Sequence, residues 1–233
     1  MRPARQLIVS LALLLAAGSA GAQAHEGDAV SYRDAYRAMV LFEKYGGPKN
    51  LLVSQLQVLP KERGALAEGL QLTLAGKSTQ VNLPLDPLGR TVFPLQKAAY
   101  DENASLILNR KGGAFSLRPQ VSVAVRPDGV YEVAELRAAC SQALGFARYV
   151  DASQRSRQCA GVRFVFPRKA EGGARLRRPD SPEQALPLAS AEGEDGLPTL
   201  TYRFTANTGA AAAAERGQLA TFNAPLAILP VFE

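Results

Sequence analysis

TQVNLPLDPLGRTVFPLQKAAYDENASLILNRKGGAFSLRPQVSVAV, residues 79–125, is the stretch that decides the fold. Val81, Leu83 and Leu85 alternate with polar or turn residues, Asp86-Pro87-Leu88-Gly89 supplies a reverse turn, and Phe93 and Leu95 resume the alternation. That pattern predicts the start of an antiparallel meander. Leu106 and Leu108 follow, then a turn over residues 109–113. Phe115, Leu117, Val121, Val123 and Val125 then alternate with Ser116, Arg118, Gln120 and Ser122. A period of two buries one face of a strand and wets the other. Pro119 falls on the inward parity and has no amide proton, so this strand should lie at an edge or carry a bulge there. Within the stretch, Asp86 and Gly89 read as turn chemistry, Arg90 as a solvent-facing or acid-paired strand residue, and Asn103 as a backbone-bonding residue at the head of a strand. A pocket over the strand ends is the functional counterpart of that reading, because sites sit on loops over rigid scaffolds.

Outward from this core, the chain predicts a helix from Val30. Tyr32, Ala35, Tyr36, Met39, Val40 and Phe42 or Glu43 fall on helical spacing, and Gly46-Gly47-Pro48 ends the run. Residues 51–59 and 70–75 read as strands, joined by a charged loop over 60–69. About six strands at short spacing are the signature of a small β-sandwich. After the turn Arg126-Pro127-Asp128-Gly129 the period changes, and residues 131–150 place Val133, Leu136, Ala139 or Cys140, Ala143, Leu144 and Ala147 on one side of a helix. Val162, Phe164 and Phe166 then point inward from a strand with Arg163 outward, and residues 200–204 and 226–232 give two late strands. Residues 168–197, rich in Gly, Pro, Ser and charge, read mostly as a surface insertion, and the alanines of 210–214 as a short helix or a connector. The expected fold class is mainly β with two or three helices (α+β), an antiparallel sandwich carrying an N-terminal helix and a disulfide-tethered helix. The domain division is a signal peptide over 1–24, a helix plus sandwich over 25–128, and a helix plus late β segment over 129–233 packed on the same core.

Arg2 and Arg5 precede an apolar run over residues 7–17, and Ala22-Gln23-Ala24 fits the small-x-small cleavage rule. That run is too short to span a bilayer. The expectation is an exported, periplasmic chain cleaved after Ala24, with no transmembrane segment in its mature part and no lipid-anchor cysteine. Cleavage removes two arginines and lowers the formal charge from +6 to +4. Cys140 and Cys159 are the whole cysteine content, and in an oxidising compartment an isolated pair reads as a structural disulfide. The C-x-x-C spacing of a redox pair is missing, and so is any internal histidine for a metal-thiolate site.

Charge is uneven. Residues 148–178 hold nine Lys or Arg against Asp151 and Glu171, and residues 179–196 hold five acids and no base. Arg168, Lys169, Arg175, Arg177 and Arg178 are therefore candidates for binding an anionic surface such as phospholipid, lipopolysaccharide or a wall polymer. The bland alternative pairs the neighbouring arginines and acids with one another on a solvated loop. The lone histidine, His25, would become the first residue after cleavage, and its amine with its imidazole is a weak candidate Cu(II) chelate, with Glu26 and Asp28 nearby. With no other histidine, Ser-His-Asp and Cys-His arrangements cannot form, and the mature chain has no G-x-S-x-G, S-x-x-K, phosphate loop or zinc spacing. Asp101-Glu102 and Glu132-Glu135 read as surface carboxylates. Tryptophan is absent, so only tyrosines such as Tyr100, Tyr131, Tyr149 and Tyr202 could stack on sugar.

The order of signal segment, short helix, LVSQLQVLP (52–60), LPLDPLGRTVFPL (83–95), ENASLILNRK (102–111) and a helix with late β resembles a family of uncharacterised exported bacterial proteins whose domain has no assigned function. Its central part is similar to immunoglobulin-like or transthyretin-like accessory sandwiches. The resemblance implies a fold and no activity. The functional expectation is a non-catalytic periplasmic module, without cofactor and without nucleic acid as a partner, that binds another envelope protein or an envelope component. Alternatives are an anionic-surface binder through residues 148–178 and a copper-binding protein using His25.

Overall fold

The structure is a computed structural model that describes residues 29–60, 69–109, 115–179, 181–189, 196–204 and 216–233. The signal segment, His25, the loop over 61–68 and the alanine run 210–214 lie outside these residues.

Among the described residues the chain is mainly β with three α-helices, an α+β fold with antiparallel sheets. In chain order the elements are β1 (Ala29–Ser31), α1 (Tyr32–Lys44), β2 (Leu52–Pro60), β3 (Gln71–Ala75), β4 (Gln80–Pro84), β5 (Arg90–Thr91), α2 (Lys97–Asp101), β6 (Ser105–Leu108), β7 (Phe115–Val123), β8 (Val130–Glu132), α3 (Val133–Val150), a 3-10 turn (Ala152–Ser156), β9 (Cys159–Val165), β10 (Ala174–Arg178), β11 (Ser181–Leu186), β12 (Thr199–Arg203), β13 (Gln218–Thr221) and β14 (Ala227–Phe232). Among the described residues the strands form three sheets, ordered β1-β6-β3-β4, β11-β10-β13-β8 and β12-β9-β14-β7-β2-β5.

The six-stranded sheet is built around the β2/β7 pair, which stays in register over nine residue pairs from Leu52–Val123 to Pro60–Phe115. The period-two alternation of both strands is the reason: Leu56 and Val58 are fully buried, while Val53 and Arg118 are exposed. The two ends of this ladder feed two cores. Leu56, Val58 and Phe115 pack with Leu72, Leu74, Leu83 and Leu106 of the first four-stranded sheet, whereas Leu52 and Val123 join Leu136, Phe164, Leu176, Leu219 and Ile228. Helix α1 does the same, with Tyr32, Ala35 and Met39 in the first core and Phe42 in the second. Its start is capped by Ser31 and pinned by the Tyr32 hydroxyl, which donates to the Pro94 carbonyl and accepts the Gln96 amide at 2.8 Å. Burial of that phenol raises its pKa above the ordinary tyrosine value.

Helix α3 buries Val133, Leu136, Ala139, Cys140, Ala143, Leu144 and Phe146, and a disulfide from Cys140 to Cys159 ties it to β9 with the Cα atoms 6.0 Å apart. The late strands β9, β12 and β14 belong to the same sheet as β2 and β7.

Three elements depart from the expectations. The turn over 86–89 does not fold a hairpin back on β4. It passes the chain to the other sheet, where the two-residue β5 pairs with Leu56 and Gln57 of β2, and Phe93 and Leu95 lie outside strands. The cause is Arg90, 5% exposed, whose guanidinium bonds Asp86 and reaches the Leu226 carbonyl before β14. Of the two readings of Arg90, acid pairing holds and solvent exposure does not. Residues 168–197 are no plain surface insertion, because β10 lies within a sheet and buries Ala174 and Leu176 on its alternate positions. The short strands β8 and β13, which complete that sheet, carry too few residues to show a period in the sequence.

Candidate functional site

Hydrogen-bond alternation across the six-stranded sheet shows where its main-chain donors point. Ala124 donates to Leu51 at 2.9 Å, so the even-numbered amides of β7 face β2 and the odd-numbered ones face away. On the far side, Phe166 donates to Pro198 and Phe204 to Ala160, which turns even-numbered β9 amides toward β12 and odd-numbered ones toward Ala227, Leu229 and Val231 of β14. The even-numbered positions of β14 therefore face β7. Strands β14 and β7 meet at Ile228–Val123 alone. Continuing that register would set Pro230 against Val121 and Phe232 against Pro119. Each of those pairs lacks one of its two amide donors, because proline has no N–H. The seam opens where the two prolines face it, as the sequence position of Pro119 implied. The Val121 carbonyl, turned into this seam, accepts instead from the Gln120 side chain at 3.0 Å.

Above the fork lie the two helices. Ala38 and Leu41 of α1 and Ala143, Phe146, Ala147 and Val150 of α3 face a cleft of about 570 Å³ whose strand side is Pro119, Gln120, Val121, Leu229, Pro230 and Phe232. Asp151 and Gln154 close one end. Eleven of these fourteen residues are apolar, and the volume lies within the range of ligand sites. The Phe146 ring is held edge-on by Phe42 and Tyr45 at 5.2 and 5.5 Å between centroids, and Tyr149, half exposed, leans on both Tyr45 and Phe146.

The Gln154 end of the cleft is positive. Arg148 donates to the carbonyls of Gln154 and Arg157, and Arg157 donates to the Phe232 carbonyl at 3.4 Å, so two guanidinium groups rest against cleft-lining main chain. The Asp151 carboxylate opposes them but already accepts bonds from the Ser153 hydroxyl, the Gln154 amide and the Ser153 backbone, which hold its pKa below the ordinary aspartate value.

The basic residues singled out in the sequence are not brought together at this cleft. Arg175 and Arg177 lie on one face of β10 and both pair with Glu183 of β11, at 3.2 and 2.7 Å, and Arg175 also sits 4.7 Å from the Phe222 ring centre. Those ion pairs, Arg177 first, hold Glu183 below the ordinary glutamate value. Arg168 and Lys169 follow β9, and Arg178 ends β10, all exposed. Among the described residues no group of three His, Cys, Asp or Glu is placed to hold a metal ion, and no helix is long and apolar enough to cross a membrane. The cleft was missed from sequence because its walls come from four separated segments. The signal that could have found it was the second proline, Pro230, inside an otherwise apolar strand.

Compared with protein-family models, with curated proteins and with solved structures, the chain has no match in any of the three.

Proposed function

We propose that the protein is a non-catalytic binding module of the exported, periplasmic compartment, and that it takes an apolar segment of a protein or envelope component in the cleft between α1, α3 and the β7/β14 fork. The observation that carries this reading is the coincidence, on one strand, of an unpaired sheet edge and an apolar wall. A sheet edge with an apolar groove beside it is a docking surface that a folded protein otherwise covers or blunts. Export is supported by the basic, apolar and small-residue pattern of residues 1–24 and by the Cys140–Cys159 disulfide, which persists in oxidising compartments.

The test uses N-phenyl-1-naphthylamine, an apolar fluorophore that brightens on leaving water. The full mature chain should bind it saturably. Ala147→Phe, which places a ring in the cleft from a partly exposed position of α3, should weaken binding at least tenfold while circular dichroism and the melting temperature stay close to the parent. Thr201→Val on the exposed alternate face of β12 should leave binding unchanged. Absence of saturable binding, or equal binding by Ala147→Phe, refutes the cleft as the site.

A further inference from the structure

We infer that the occupant of the cleft is an extended peptide segment of a partner protein, which adds to the open edge of β7 as a strand, sends alternate apolar side chains under α1 and α3, and carries an acidic residue at the Gln154 end. This deepens the reading above and rests on it.

Three observations select a peptide strand over other apolar ligands. The first is main-chain. From Phe115 to Val121 the outer side of β7 has no strand beside it among the described residues, since β14 leaves it after Val123. Seven residues of edge are about 20 Å long, the length of an average strand. The odd-numbered residues Phe115 and Leu117 direct amides and carbonyls to that side, Pro119 supplies a carbonyl only, and Val121 supplies its amide, its carbonyl being engaged by the Gln120 side chain. An added strand recovers those bonds, whereas an acyl chain leaves them unmade, and unmade bonds in a dry site are costly.

The second is periodicity. On the helix-facing side the fork presents Pro119 and Val121 from one strand and Pro230 and Phe232 from the other, with Gln120 and Leu229 between them also reaching the cleft wall. A guest strand in the same sheet alternates by its own pleat, one set of side chains entering the cleft and the other lying on the face of the exposed Arg118.

The third is charge. At the Gln154 end, Arg148 and Arg157 outnumber Asp151, whose oxygens are engaged by Ser153 and Gln154. A carboxylate on the guest near that end is favoured, and a lysine there is disfavoured.

The probe for the test is a synthetic nonapeptide of alternating valine and threonine with aspartate at both ends, and two N-methylated versions of it. One has methyl groups on the alternate amides that would face β7, the other on the intervening amides; both registers are made, since the pairing phase decides which is which. The expected result is displacement of N-phenyl-1-naphthylamine by the parent peptide. One methylated set should lose at least tenfold in affinity and the other less than threefold, and amide exchange at Leu117 and Val121 should slow on binding. Replacing both aspartates by lysine should weaken binding severalfold at low salt, an effect that fades as salt rises. If the fluorophore binds and is displaced by laurate but not by the peptide, or if both methylated sets bind as well as the parent, the strand-addition proposal is refuted while the cleft stands. If neither fluorophore nor peptide binds, both fall.

Discussion

The Asp86–Arg90 pair should break asymmetrically. Arg90 is 5% exposed and Asp86 28% by side chain. One carboxylate oxygen of Asp86 accepts the amides of Leu88 and Arg90 at 2.9 and 2.8 Å, and the other accepts Nε and Nη2 of Arg90 at 2.9 and 2.6 Å. Asp86→Ala deletes all four bonds and leaves a guanidinium in a dry site with the Leu226 carbonyl as its remaining partner. Breaking a fully buried pair costs about 3–5 kcal/mol, and the partial exposure of Asp86 brings the expectation down to about 2–4 kcal/mol. Arg90→Met removes the buried charge, fills most of its volume with apolar atoms, and leaves a half-wet carboxylate that still caps two amides. Its cost should be about 1 kcal/mol, chiefly the loss of the tie to Leu226. Urea unfolding of the two single variants and the double variant, with constant slope, measures this directly. With Arg90 already replaced, Asp86→Ala should cost no more than its two turn bonds, about 1–2 kcal/mol. If Arg90→Met destabilises as much as Asp86→Ala, burial of the guanidinium is not what makes the acid indispensable, and the argument fails.

Three other outcomes are expected. The disulfide closes a 19-residue separation, so on the loop-entropy model its reduction should lower stability by about 3 kcal/mol, read as a drop in urea midpoint with dithiothreitol; a change under 0.5 kcal/mol would show that β9 and α3 hold each other without it. At Gly161 an added Cβ would stand 2.3 Å from the Tyr202 carbonyl of the neighbouring strand, whereas at Gly145 it would meet the movable Tyr45 hydroxyl at 2.7 Å. Gly161→Ala should therefore cost more than about 2 kcal/mol and Gly145→Ala less than 1, and equal thermal shifts would contradict the close backbone approach. The Glu183 carboxyl, depressed by Arg177 and then Arg175, contributes stability that is present above its unfolded pKa and fades as pH falls through its folded pKa. An NMR titration should show its midpoint moving up toward the ordinary glutamate range in Arg177→Ala, and an unmoved midpoint would remove the ion pair as the cause.

The long periodic elements were legible in the sequence because the pattern picks out most of their buried positions. In α1 the expected stripe contains Tyr32, Ala35, Met39 and Phe42, the four buried positions, and Val162 and Phe164 of β9 with Phe166 just after it are buried while Arg163 is exposed, although Val165 is buried too, in a small cluster on the other face. The Cys140–Cys159 bridge followed from the cysteine count and the expectation of export. What could not be read was sheet membership. Nothing local in Arg90–Thr91 says that it pairs with β2 instead of β4, because the deciding contact, Arg90 to the Leu226 carbonyl, spans 136 positions. Nor does the charge of residues 174–178 advertise a core strand, since three of its five residues are exposed arginines and only Ala174 and Leu176 point inward. The cleft was half legible: Pro119 marked an unpaired edge, but what stands over that edge depends on how two distant helices pack.

The position of β14 bears on how the molecule is made. It is the last strand in chain order, yet it lies in the middle of the six-stranded sheet, between β9 and β7. A ribosome that has released everything through β12 has produced two half-sheets with bare facing edges, and neither can close until residues 227–232 arrive. Pairing across such separations must first meet the entropy of closing long loops. The sheet β1-β6-β3-β4 needs nothing beyond Leu108, so the core beneath it can consolidate early, whereas the second core, which Ile228 of β14 helps to fill, must close last.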